Sequence, residues 1–158
     1  MNHIRFPSSY IDEQINAEIG KVVNYQIPVH IPADANKALS VIDTMSSGLT
    51  YNNNFAAAIG AADVTSDAAA LTASDTTLGY LSAAPTGYTI PFQVKFSADF
   101  VAAHQNSDIV ITYSATVNES ALIVDYRNNK VTLVYDEGNY KLVDQVNYTT
   151  YYGGIEKV

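Results

Sequence analysis

Asp43 and Asn129 are polar residues set in stretches that otherwise read as β-strand: Val41-Ile42-Asp43-Thr44-Met45-Ser46-Ser47-Gly48-Leu49 and Asn129-Lys130-Val131-Thr132-Leu133-Val134-Tyr135. A strand-borne carboxylic acid and a distant strand-borne carboxamide are two of the three groups that a Lys–Asn isopeptide crosslink needs. The third is a lysine. In that reaction a neutral amine attacks the side-chain carbonyl carbon of the amide, and ammonia leaves. A neighbouring acid polarises the carbonyl and moves the protons. Burial suits both helpers, because it lowers the pKa of a lysine and raises that of a carboxylic acid. Each residue also has a plainer reading. Asp43 could cap the turn at Ser46–Gly48, and Asn128-Asn129 is an ordinary turn pair ahead of a strand.

Other chemistries find less support. No Ser-His-Asp ordering, Gly-x-Ser-x-Gly elbow or phosphate loop is present, which argues against a turnover enzyme. The absence of cysteine removes disulfides, thiolate metal sites and cysteine nucleophiles together. His3, His30 and His104 are spread without metal-ligand spacing and are expected at the surface. Asp63, Asp67 and Asp75 fall in an acidic loop that lacks the glycine and terminal glutamate of a calcium loop. The sequence therefore implies no metal and no cofactor. A net charge of −8 repels phosphate backbones, which argues against nucleic acid. No apolar run approaches the roughly 18 residues of a membrane helix. Met1 to Tyr10 carries no signal-peptide core and no sorting signal closes the sequence, so a surface role would make this a domain excised from a longer protein.

The elements that must position Asp43 and Asn129 are strands. The 158 residues suit one domain, 1–158, and 47% apolar against 15% charged residues describes a folded chain with a sizeable core. Twelve tyrosines with many Val, Ile and Thr favour β-structure. Val22 to Ile31 alternates with period two, Leu39 to Asp43 reads as a second strand, and Ser46-Ser47-Gly48 as its turn. Phe55 to Thr86 is rich in Ala, Ser, Thr and Asp. Short strands are expected there at Ala56–Ile59, Ala69–Thr72 and Thr77–Leu81, because Gly60, Val64 and Thr65 argue against a helix over Ala56–Ala70. Thr89 to Phe96 alternates again, and a short helix follows over 97–104 with Ser97 as N-cap. Asp108 to Val117 and Asn129 to Tyr135 are strong strands. Val146 to Val158 reads as a last long strand with a bulge or bend at Gly153-Gly154. Strands do not alternate with full-length helices, so the expected fold is all-β: a two-sheet sandwich with one short helix.

Several segments, taken in order, resemble the isopeptide-forming domains of sortase-assembled pilins and surface adhesins of Gram-positive bacteria. They are Ile19-Gly20-Lys21-Val22-Val23-Asn24-Tyr25-Gln26-Ile27, then Ile31-Pro32, then Asp43 to Asn52. Tyr113 to Glu119 follows, then Asn129 to Tyr135, and last Tyr151 to Val158. The likeness is to the fimbrial middle-domain type and covers about residues 19 to 158.

The resemblance implies an Ig-like sandwich of the collagen-adhesin kind, exported and anchored to the cell wall. Its partners would be neighbouring domains or other pilin subunits, and host protein or glycan in an adhesin. It also implies Asp43 as the catalytic acid, Asn129 as the amide partner and Glu119 as a supporting residue that either orders the nearby loop or faces solvent. The crosslinking lysine belongs before Ile19-Gly20, yet residues 1 to 20 contain none, and the base nearest that position is Arg5. A guanidinium stays protonated and cannot be the nucleophile. Three readings follow. The domain is an uncrosslinked member with Arg5 paired to Asp43; or its lysine has been removed and a strand is supplied in trans, as in a split ligation pair; or Lys95 or Lys141 serves instead. Lys157, at the end of the last strand, would belong to a following domain's crosslink and be inert here. The rival of another class is an adhesin module that grips host protein or glycan through the loops of 55–86, where Phe55 and Tyr80 are the aromatics.

Overall fold

Val23, Tyr25, Ile27, Val29 and Ile31 recur at every second position and are all fully buried, which makes Val22–Ile31 a half-buried strand, β1. The computed structural model describes residues 19–122, 128–135, 140–145, 151–152 and 155–156. In chain order the remaining strands are β2 (Leu39–Ser46), β3 (Leu49–Tyr51), β4 (Ala56–Ile59), β5 (Ala62–Asp63), β6 (Ala69–Ala70), β7 (Tyr88–Phe96), β8 (Ser107–Val117), β9 (Asn129–Tyr135), β10 (Tyr140–Gln145), β11 (Tyr151–Tyr152) and β12 (Ile155–Glu156). Among the described residues one α-helix, α1 (Ala98–Ala103), joins β7 to β8.

Two antiparallel sheets face each other. One has the order β10-β9-β2-β7-β6, and the other runs β1-β8-β4-β5 with β3 also paired to β8. Inward residues of both, among them Tyr25, Ile27, Val41, Met45, Phe96, Ile111 and Leu133, form a single core. The expected all-β sandwich is therefore the observed one. β2 lies at the centre of its sheet and is buried along its whole length. Its outer face is covered as well, because Ile42 packs with Leu71 and Leu78 from the loop segment and with the partly buried Tyr80. A strand covered on both faces has little room for a charge, which is why an acid within it stands out.

Local chemistry sets several junctions. The Ser97 hydroxyl caps α1 by accepting from the Phe100 amide at 3.1 Å. Phe96 and Phe100 stack at 5.0 Å and fix the helix on the core. β7 carries one extra residue against β2, with Asp43 opposite Phe92 but Met45 opposite Thr89, and Pro91 falls in that bulge. Between β3 and β4 the chain leaves the ladder at Asn53, which takes the left-handed φ of 56° that Asn tolerates. There Asn54 Oδ1 accepts from the Ser114 amide at 2.9 Å, substituting for the missing strand partner.

Four local expectations need correction, and one strand was not expected. Thr77–Leu81 is not a strand: Thr76–Leu78 forms a 3₁₀ turn ending at Gly79 with φ 85°, held by Leu78 N–H to the Asp75 carbonyl at 3.0 Å. Ala69–Thr72 shrinks to Ala69–Ala70, and Leu39–Asp43 extends to Ser46. Tyr140–Gln145 is a strand paired with β9 that the sequence pattern does not single out. Finally, β11 and β12 pair with each other as a two-stranded ribbon, so Val146–Val158 is not one continuous strand. The bend expected at Gly153-Gly154 falls outside the described residues.

Candidate functional site

β2 carries Asp43 between Val131 of β9 and Phe92 of β7. Asn129 begins β9 opposite Met45, and partners across an antiparallel ladder share a face, as do residues two apart on one strand. Asp43 and Asn129 thus stand diagonally adjacent on the inner face of the sheet, and both are 0% exposed. From the facing sheet, Tyr113 of β8 reaches across the core. Asn129 Nδ2 donates to its hydroxyl at 3.0 Å. The Tyr113 ring is stacked on Tyr25 at 5.0 Å and meets the edges of Phe92 at 5.0 Å and Tyr51 at 6.2 Å. The polar cluster is walled by aromatic rings.

The electrostatics follow from that wall. Among the described residues, both Asp43 carboxylate oxygens and Asn129 Oδ1 are buried without a hydrogen-bond partner. Burial drives the Asp43 carboxyl well above the usual carboxylate range, and the nearby Tyr113 hydroxyl, Asn129 side chain and Thr44 backbone offset only part of the rise. Burial likewise raises the Tyr113 hydroxyl well above its ordinary range, with the charge of Asp43 and the neighbouring Tyr25 adding to it. A carboxyl in this position holds its proton at pH values where an exposed one does not. It can then donate a hydrogen bond to an amide carbonyl, the task that the crosslinking reaction sets.

The plainer readings of the two residues fail on this geometry. Asp43 does not cap the following turn; the Ser46 hydroxyl does, accepting from Gly48 N–H at 3.1 Å. Asn129 is a buried strand residue and not a turn residue. Glu119 faces solvent in a 3₁₀ turn, Glu119–Leu122. The residue that orders this loop is Asn118, whose Nδ2 donates to the Ser47 carbonyl and the Thr50 hydroxyl, each at 3.0 Å.

The candidate lysines separate clearly. Lys95 bonds Asp75 at 2.9 Å, and its partner across the ladder is Ser40, an odd step from Asp43 along β2, so it lies on the outer face of the sheet. Lys141 is in register with Val134, an odd step from Asn129 along β9. Because the orphan oxygens have no partner, no lysine among the described residues touches them. Arg5 and Lys157 lie outside the described residues, as does His3. His30 pairs with Asp108 at 2.8 Å on the surface, and half-buried His104 donates through Nδ1 to the Phe100 carbonyl at 2.8 Å. Asp63 and Asp75 are engaged in turns, accepting from the amides of Thr65 and Thr72. Of the loop aromatics, Phe55 packs edge-on to Phe92 at 5.0 Å and Tyr80 joins the cluster over β2. Tyr113 is the site residue that sequence reasoning missed. A tyrosine at an inward position of an alternating strand needs a partner for its hydroxyl, and that was the available signal.

Comparison with known proteins agrees with this architecture. The family model described as Gram-positive pilin backbone subunit 2, Cna-B-like domain, matches residues 19–139. No curated protein sequence matches the chain. Among solved structures, the N-terminal domain of the Streptococcus gordonii adhesin Sgo0707 is similar with a TM-score of 0.60 at 21% identity, over 82% of this chain. The chain spans 28% of that protein. The collagen-binding subdomain of the Enterococcus faecalis surface protein ACE is similar at 14% identity and a TM-score of 0.49, over 87% of this chain and 94% of that one. A collagen-binding domain from a Staphylococcus aureus adhesin is similar at 10% identity and a TM-score of 0.46, over 81% and 89%. The match over residues 19–139 places the chain in the Gram-positive pilin backbone subunit 2 family, with a Cna-B-like structural domain.

Proposed function

We propose that this domain is a mechanical spacer of a surface pilin or adhesin, and that Asp43 and Asn129 are the acid and the amide of its intramolecular Lys–Asn crosslinking site. Residues 1 to 20 contain no lysine, and Arg5 is the base nearest the lysine's expected position in the sequence, so this copy is a site short of its amine. The observation that carries the reading is the burial of a carboxyl and a carboxamide side by side, with three of their oxygens unpartnered among the described residues. A core built only to pack would not leave them so. The domain acts outside the cell, in a protein anchored to the wall, and its partners are neighbouring domains or other pilin subunits. The packing of Phe55 and Tyr80 into the fold supports a spacer over a module that grips host protein or glycan with those loops.

Intact mass tests the proposal. The wild-type chain is expected at its unmodified mass and the Arg5→Lys variant one ammonia lighter. A wild-type chain already lighter by one ammonia would overturn the role given to Arg5 and point to another lysine. Unmodified mass in both, with Arg5→Lys folded, would overturn the crosslinking site. A lysine-bearing first-strand peptide that couples to the wild-type chain would instead identify a domain completed in trans.

A further inference from the structure

The crosslink reading assigns Asp43 and Asn129 but leaves the third polar member of the cluster without a role. We propose that Tyr113 is a positioning residue of the site: its hydroxyl takes the Asn129 Nδ2 hydrogen bond and so sets the rotation of the amide that is attacked. This rests on the crosslink reading above and adds a residue from the opposite sheet to it.

A primary carboxamide presents two ends of nearly equal size, and nothing in its shape says which end faces the acid. In this core Nδ2 is bonded to the Tyr113 hydroxyl at 3.0 Å. Oδ1 is left unpartnered and available to a protonated acid. The bond is useful only if the hydroxyl stays put, and the ring is held by Tyr25 stacked on it and by the edges of Phe92 and Tyr51. Those contacts come from β1, β7 and β3, so both sheets fix the position. Tyr113 is 3% exposed, so its hydroxyl is held in the core.

The reaction this arrangement prepares balances without a redox partner. A bond forms between the lysine Nζ and Asn129 Cγ, and the Cγ–Nδ2 bond breaks. The amine gives up one proton, which leaves on Nδ2 as ammonia. Tyr113 touches the nitrogen that departs and keeps it on the β8 side, away from the carbonyl oxygen that must accept from the acid. Preorganisation of this kind is lost when the reacting group can rotate, and small misplacements cost about 100-fold in rate.

Tyr113→Phe keeps the ring and removes the hydroxyl, and Tyr135→Phe serves as the control. The Tyr135 hydroxyl accepts from the Asn36 and Lys37 amides at 2.7 and 3.2 Å, away from the site. In nitrogen-edited proton spectra the hydrogen-bonded member of the Asn129 side-chain amide pair is expected downfield in the wild type. It should move upfield in Tyr113→Phe and stay in place in Tyr135→Phe. An unchanged pair in Tyr113→Phe would overturn the proposal. In whichever chain loses ammonia, wild type or Arg5→Lys, adding Tyr113→Phe should slow the loss by roughly 10- to 100-fold, while Tyr135→Phe leaves it unchanged. Equal rates with and without the Tyr113 hydroxyl would overturn the positioning role and leave the crosslink reading standing. If no chain loses ammonia the crosslink reading falls, and the amide spectra alone decide whether Tyr113 orients Asn129.

Discussion

Asp43→Asn should make this domain more stable at neutral pH, and the gain should shrink as the solution is acidified. Asp43 is 0% exposed and its two oxygens have no partner among the described residues, so the ionised form is penalised in the fold and not in the unfolded chain. Its pKa in the fold therefore lies above the ordinary 3.8. A raised acid pKa means that the native state holds a proton the unfolded state has released. Stability is then fully present below 3.8 and is lost as pH climbs towards the folded value. Inside that window one proton is at stake, and the slope is about 1.4 kcal/mol per pH unit. Asparagine has the same shape and no charge, so its contribution is flat with pH. Its amide can also donate to the orphaned Asn129 Oδ1. The assay is urea unfolding of both proteins at intervals from about pH 7 to about pH 4, compared as a difference so that shared groups cancel. The shared groups include Asp63 and Asp75, whose turn bonds depress their pKa values and oppose the trend. The chains compared must have unmodified mass; otherwise both are placed on an Asn129→Ala background, where no crosslink forms. A stability difference constant with pH would refute the argument, since it would mean that Asp43 titrates alike in both states.

The remaining predictions concern the frame around the site. Lys95→Ala removes a surface ion pair with Asp75 and should cost at most about 1 kcal/mol in unfolding free energy; any crosslink detected by mass should survive it. Gly79→Ala places a side chain at φ 85° with its Cβ 3.0 Å from Val134 Cγ2. The left-handed backbone alone costs about 1–2 kcal/mol, and the contact adds to it, which thermal unfolding will show as a lowered midpoint. Ser97→Ala deletes the cap of α1 and should cost about 1 kcal/mol; an unchanged midpoint would mean that the Phe96–Phe100 stack holds the helix unaided.

How much of this was legible in the sequence depends on whether local or distant contacts decide. The alternation in Val22–Ile31 and Ser107–Val117 is enforced by one buried face, so the strands and their facing are readable directly. Ser97 and its helix were readable because a cap acts within three residues. Thr77–Leu81 is not the expected short strand because turn bonds to Asp75 and the left-handed Gly79 decide its path. The site shows the same division. Asp43 and Asn129 stood out as polar residues in apolar strands. Their adjacency depends on the β2–β9 register, and Tyr113 arrives from the other sheet, so neither could be had from spacing. The absence of a lysine in residues 1 to 20 was plain from the residue types alone.

The energetics of the cluster argue that it exists for more than packing. A buried polar group without a partner costs about 1–3 kcal/mol, and among the described residues Asp43 and Asn129 hold three such oxygens. Domains of this size are stable by only about 5–15 kcal/mol. Valine and leucine at positions 43 and 129 would remove that cost and would suit strands whose neighbours are Val131, Phe92 and Met45. Such departures from consistent packing are where function is usually found. A crosslink between distant strands stabilises by about 2–5 kcal/mol if it acts as a disulfide closing a long loop does, comparable to what the unpartnered oxygens cost. The same oxygens that weaken the unreacted fold are those the proposed reaction would use. The uncrosslinked domain should therefore unfold under lower force than the Arg5→Lys form when pulled from its ends, and equal forces in the two would mean that the bond does not lie in the loaded path.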